Sequence, residues 1–158
     1  MSVTFFLYIC DRVVTIIVMP LQTFLNLPEN RQQEILNVAF EEFALNEYKV
    51  ASISHIVKKL KIAKGSIYRY FENKKDLYFY LIKVGSEMRF NEIDDLFSSS
   101  ESDLFDAITE NFARKIKFDL QHPLISGFMY NVIQEKNNEE IGNIQLQSKK
   151  QIIEIVIE

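Results

Sequence analysis

The chain has 158 residues, 47% of them apolar and 25% charged, with a formal net charge of −4. That balance excludes a disordered chain and a membrane protein, and it suits one ordinary domain or two small ones. Four Gly and three Pro argue against turn-rich β architectures, and the single cysteine, Cys10, excludes a disulfide framework or a cysteine-based zinc site. The two histidines, His55 and His122, leave metal chemistry little to work with, whereas 13 Phe and 7 Tyr provide for a bulky core.

Residues 1–19 differ in character from the rest of the chain. Two short apolar runs, residues 5–10 and 13–19, are parted by Asp11 and Arg12. Each is far below the roughly 20 residues of a membrane span. No basic residue precedes them, as a secretory signal requires. Val13, Val14, Ile16, Ile17 and Val18 favour extended structure. The preferred reading is a start at Met19, with an apolar leader docked on the body as the alternative. Residues 1–28 are accordingly set apart as a leader without a function.

From Asn26 onward the pattern is helical. Asn26, Pro28 and Glu29 resemble a capping box with proline in the first turn, and Asn30 is an equal candidate for the cap. Ile35, Leu36, Ala39, Phe40 and Phe43 recur at helical spacing and predict a buried stripe. Ser52 predicts the N-cap of a second helix whose Ile53, Ile56, Val57 and Leu60 follow at i, i+3, i+4 and i+7. After a break at Lys61 and Ile62, a third helix is expected from about Ala63 to Phe71. Asn73 and Asp76 cap a fourth, with Leu77, Leu81 and Met88 facing inward.

Beyond a polar loop at Ser98, Ser99 and Ser100, a helix carrying Phe105, Ile108, Phe112 and Ile116 is expected. His122 and Pro123 stop it and start the next, where Leu124, Ile125, Phe128, Met129, Val132 and Ile133 repeat. Asn137 and Asn138 break again before a terminal apolar run of Ile152, Ile153, Ile155, Val156 and Ile157.

Charge is distributed unevenly. Residues 49–75 carry eight basic side chains (Lys49, Lys58, Lys59, Lys61, Lys64, Arg69, Lys74 and Lys75) against one acid, Glu72, for a local charge of +7. Residues 84–158 hold seven basic and fourteen acidic groups, for −7. A basic block in an acidic protein points to a polyanion. Two short helices joined by a few residues inside that block form the arrangement of a helix-turn-helix. On the second of them Ile67 and Phe71 point inward, while Gly65 and Arg69 point outward with Tyr68 and Tyr70 on the flanks. A bare glycine admits close approach to a groove. Arg69 reaches base edges or phosphate, and the tyrosines offer hydroxyls to phosphate and rings to thymine methyls. Ser52 and the amides behind it form a phosphate seat.

These residues carry a resemblance. Phe40-Glu-Glu-Phe43-Ala44, Ser52-Ile-Ser-His-Ile56, Ala63-Lys-Gly-Ser-Ile-Tyr-Arg-Tyr-Phe71, then Asn73-Lys74 and Asp76-Leu77, resemble the TetR family of bacterial transcription regulators over about residues 29–83. The resemblance implies an all-α protein: a three-helix DNA-binding domain at 29–83, and a helical ligand-binding and dimerisation domain at 84–158. It further implies a cytoplasmic homodimer on a palindromic double-stranded operator, most simply a repressor released by a small-molecule effector. It needs no cofactor, metal, membrane or catalytic residue. The candidate DNA contacts are Ser52, Lys64, Gly65, Ser66, Tyr68, Arg69, Tyr70 and Lys74, with Lys74 on phosphate. Phe105, Phe112, Phe128 and Met129 are candidates to line an effector pocket, against a plainer role in the core.

Four departures stand out. Lys61 occupies the turn position where the family commonly has glycine, Val57 and Leu60 replace small residues often found in the second helix, Ala51 stands where threonine often helps to bind phosphate, and the acidic half looks short of the final helices that usually build the dimer. A truncated regulator is therefore expected to dimerise poorly, and a helical interaction protein that has lost operator binding is the rival. An enzyme is not expected, because no glycine-rich phosphate loop or metal-ligand spacing occurs.

Overall fold

The structure, a computed structural model, describes residues 20–93, 104–135 and Ile141. The described residues form helices α1 (Gln22–Leu25), α2 (Glu29–Leu45), α3 (Ile53–Lys59), α4 (Lys64–Tyr68), α5 (Lys74–Ile93), α6 (Leu104–Gln121) and α7 (Pro123–Gln134). Of the leader expected over residues 1–28, residues 1–19 lie outside the described residues, as do the loop at Ser98, Ser99 and Ser100, the break at Asn137 and Asn138 and the terminal apolar run. Residues 20–28 instead belong to the folded body, with Phe24 of α1 fully buried.

The stripe on α2 is buried as its spacing requires, with Ile35, Ala39, Phe40 and Phe43 all inside. Its start differs from expectation. Pro28 is the N-cap, and neither Asn26 nor Asn30 caps the helix with its side chain. The proline carbonyl accepts from the Arg31 and Gln32 amides at 2.9 and 3.1 Å, and Asn26 instead closes α1. Capping at α3 and α5 follows side-chain chemistry. Ser52 accepts from the Ser54 amide at 3.2 Å. Asn73 accepts from the Asp76 amide at 2.9 Å while its own amide donates to the Asp76 carboxylate at 3.1 Å.

Between α3 and α4 the chain reverses through a Schellman turn. The Lys61 amide donates to the Lys58 carbonyl at 3.2 Å and the Ile62 amide to the Val57 carbonyl at 3.0 Å. Lys61 sits at the left-handed position of that turn with φ 55°. It is the only non-glycine with positive φ among the described residues, a conformation that favours glycine.

Helix α7 makes its most extensive packing on α2. Phe128 is fully buried and meets Phe40, Phe43 and Tyr78 with ring centroids 5.5, 6.2 and 5.3 Å away. Offset and edge-on aromatic contacts of this kind add to the burial of the rings themselves. Polar ties reinforce the joint. The Asn131 side-chain amide donates to the last carbonyls of α2, Phe43 at 3.1 Å and Ala44 at 2.9 Å. The Glu135 carboxylate accepts from the Tyr78 hydroxyl at 3.0 Å and from the Tyr48 amide at 3.4 Å. Burial, then the Glu135 charge and hydrogen bond, push the Tyr78 hydroxyl pKa well above the usual tyrosine value. Helix α5 approaches α7 at Gly85, where a Cβ would lie 3.3 Å from both Ile125 and Met129. The second, acidic part is thus fastened to the first through the C-terminal end of α2.

Helix α6 departs from its expected role. Phe105, Phe112 and Ile116 do not face the interior; Phe105 is 76% and Phe112 64% exposed. Phe118 is buried, and its ring lies tilted against His122 with centroids 4.8 Å apart. Periodicity identified an apolar stripe here but could not say whether another element covers it.

Candidate nucleic-acid interface

The basic block folds into α3, the turn and α4, resting on α2 and α5. Ile53, Ile56, Val57, Leu60, Ile67 and Phe71 are buried and fix the two short helices to each other. What remains outside is the face that the sequence assigned to DNA. Lys64, Gly65 and Arg69 are exposed, Tyr68 is 42% exposed, and Ser66 is half-buried. No atom lies within 4 Å of where a Cβ on Gly65 would stand, so the backbone there is bare to solvent.

The third helix is shorter than expected. It ends at Tyr68 with Arg69 as its C-cap, and Tyr70 and Phe71 continue as a turn whose amides both donate to the Ile67 carbonyl. Tyr70 is half-buried, edge-on to Phe24 at 6.1 Å, which separates it from the freely presented Tyr68.

Two candidate phosphate ligands have internal partners. Ser52 is engaged twice: its hydroxyl caps α3, and its amide donates to the Glu42 carboxylate at 2.9 Å. The same Glu42 oxygen lies 3.3 Å from His55 Nδ1. A carboxylate therefore already fills part of the expected phosphate seat. Lys74 turns its ammonium inward to the Tyr48 and Ala51 carbonyls at 2.5 and 3.0 Å, and over the Tyr48 ring at 4.3 Å. Two of its three N–H donors hold the loop before α3, which leaves one for a phosphate. Tyr48 carries no special sequence signal, and Glu42 stands out only within the Phe40-Glu-Glu-Phe43-Ala44 motif. Their part follows from the Lys74 and Ser52 contacts, which only the folded chain reveals.

The four pocket candidates do not converge. Phe128 is core between α2, α5 and α7, Met129 packs half-buried beside Gly85, and Phe105 and Phe112 lie open on α6. Among the described residues no group of three or more His, Cys, Asp or Glu side chains is placed to hold a metal ion, and no helix is long and apolar enough to cross a membrane.

An all-α chain with a basic, outward-facing second helix in a helix-turn-helix defines a class of regulatory protein. Similarity to known proteins narrows it. Residues 35–81 match the family described as bacterial regulatory proteins, tetR family. A TetR family transcriptional regulator from Chloroflexus aurantiacus has the same fold. The two are 32% identical with a TM-score of 0.70, and the match covers 88% of this chain and 67% of that one. The fatty acid metabolism regulator protein of Bacillus subtilis is 38% identical over 53 residues, which are 34% of this chain and 27% of that protein. The match thus spans about a quarter of that curated relative's length. The chain belongs to the TetR family.

Proposed function

We propose that this chain is a sequence-specific DNA-binding transcriptional regulator that acts in the cytoplasm. It reads a palindromic duplex as a homodimer and represses until a small molecule binds its second, helical part. The observation that carries the reading is the outer face of α4: bare Gly65, exposed Arg69 and Tyr68, set in a +7 segment on a buried scaffold. Arg69 suits base edges, Tyr68 suits phosphate or thymine methyls, and the surrounding lysines supply attraction that grows as salt falls. Membership of a family of regulatory proteins favours this reading over a helical interaction protein. The ties of Asn131 to the end of α2 and of Glu135 to Tyr78 on α5 give a second-part ligand a physical route to the reading helices.

Gly65 offers a test in which stability and binding move in opposite directions. With open space around the position, Gly65→Ala stabilises the fold by about 0.5–1 kcal/mol through helix propensity. Gly65→Leu adds bulk where the groove must come close. Both variants are expected to melt no lower than the parent, with duplex affinity falling modestly for Ala and steeply for Leu. Unchanged duplex affinity in Gly65→Leu would overturn α4 as the DNA-facing helix.

A further inference from the structure

Helix α4 has five residues, too few to be stable or well aimed on its own. Its C-terminal end leaves carbonyls without helical partners. The Ser66 and Ile67 carbonyls are filled locally by the amides of Arg69, Tyr70 and Phe71. The Arg69 and Tyr70 carbonyls are filled from a distant segment. The Thr23 hydroxyl donates to the Arg69 carbonyl, and the Leu21 amide donates to the Tyr70 carbonyl at 2.8 Å. Phe24, in the same short segment, is fully buried against Phe71 at 5.0 Å, Tyr80 at 5.7 Å and Tyr70 at 6.1 Å. Gln32 on α2 anchors the segment, its amide donating to the Leu25 and Leu27 carbonyls at 3.2 and 2.8 Å. Leu21, Thr23, Phe24 and Gln32 all precede residue 35, where the match to the family begins.

From this we infer that residues 20–27 are a brace that positions the reading helix, with Thr23 and Phe24 as positioning residues for sequence discrimination. The inference rests on α4 being the DNA-reading helix. Arg69 is where the two meet: its side chain is exposed toward DNA while its carbonyl is held by Thr23. Base-edge hydrogen bonds demand placement to within about 0.5 Å, whereas attraction between the basic segment and phosphate tolerates far larger shifts. Loosening the brace therefore lowers specificity before it lowers general affinity. The donors from Thr23 and Leu21 also quench the negative end of α4, which would otherwise lie close to a polyanion.

The test uses the full chain and two probes: a duplex enriched by the parent protein from a randomised pool, and poly(dI-dC). The readout is the ratio of the two affinities. Thr23→Val keeps the shape and removes the donor; Thr23→Ser keeps the donor. Phe24→Leu tests the ring contacts. The ratio is expected to fall about three- to tenfold in Thr23→Val and Phe24→Leu, the scale of one or two lost interactions, and to stay at the parent value in Thr23→Ser. Affinity for poly(dI-dC) should stay within about twofold, because the lysines are untouched. Arg69→Ala serves as the reference. A lower ratio in Arg69→Ala with an unchanged ratio in Thr23→Val refutes the brace and leaves α4 as the reader. Unchanged ratios in both refute the reader and the brace with it. An equal loss on both probes in Thr23→Val also refutes the brace, since it would mean general destabilisation.

Discussion

Lys61 holds a backbone conformation that its side chain disfavours, and the remedy has a definite size. At φ 55° its Cβ crowds the following carbonyl, a strain of about 1–2 kcal/mol that glycine escapes. Replacing lysine by glycine also loosens the unfolded chain, which offsets about 0.4–1 kcal/mol. Lys61→Gly should therefore gain about 0.5–1 kcal/mol, worth roughly 1–4 °C in Tm for a chain of this size. The Schellman bonds from the Lys61 and Ile62 amides are preserved, because they need only the backbone. Lys61→Ala is the decisive control. It loses the same charge but keeps the strain, so it should melt below Lys61→Gly. Lys61→Asn, whose side chain tolerates the left-handed region, should fall between them. Melting followed by far-ultraviolet circular dichroism would rank the three. If Lys61→Ala equalled or exceeded Lys61→Gly, the strain argument would fail.

Other outcomes rest on the same geometry. Asn131→Ala strips two hydrogen bonds from the last carbonyls of α2 and should cost about 1–3 kcal/mol in urea unfolding; no change would show that water replaces the amide without loss. Lys74→Met keeps much of the stem but frees the Tyr48 and Ala51 carbonyls, so it should lower stability by about 1–2 kcal/mol as well as duplex affinity, and a loss of affinity alone would limit Lys74 to phosphate. Burial raises the Asp119 carboxyl, but hydrogen bonds from Ser126 and Lys115 and the charges of Lys115 and Arg89 outweigh it and hold the group below the usual aspartate value. A depressed carboxyl stabilises the fold above the ordinary aspartate range and loses that contribution as pH falls through its folded value. Asp119→Asn should consequently flatten the acid limb of a stability profile below about pH 4; an unaltered limb would mean that the lowering does not operate.

Much of this was legible because it is local. Ser52, Asn73 with Asp76, and the stop at His122 and Pro123 act through side-chain and backbone chemistry within a few residues. The inward Ile67 and the outward Gly65 follow from helical spacing alone, whereas Phe71, in the turn after α4, is held inside by Phe24 and Tyr80. What escaped depends on partners far along the chain. Phe24 is a lone aromatic in a four-residue helix, and its burial is decided by Tyr70, Phe71 and Tyr80. Lys74 reads as a surface cation until the Tyr48 and Ala51 carbonyls come within reach. The Asn26 and Asn30 caps failed because Pro28 had already fixed the entry to α2. Phe105 and Phe112 mark an apolar stripe whose covering is a tertiary matter, beyond any period in the sequence.

The central claim is that α4 reads DNA sequence, and side-by-side enrichment of randomised duplexes by the parent chain and by Arg69→Ala tests it most directly. The parent should enrich a palindrome whose half-sites lie about one turn, roughly 10 bp, apart, and Arg69→Ala should relax the preference at a defined position in each half-site. A pool no more enriched than its starting mixture, or an identical consensus from both proteins, would contradict it.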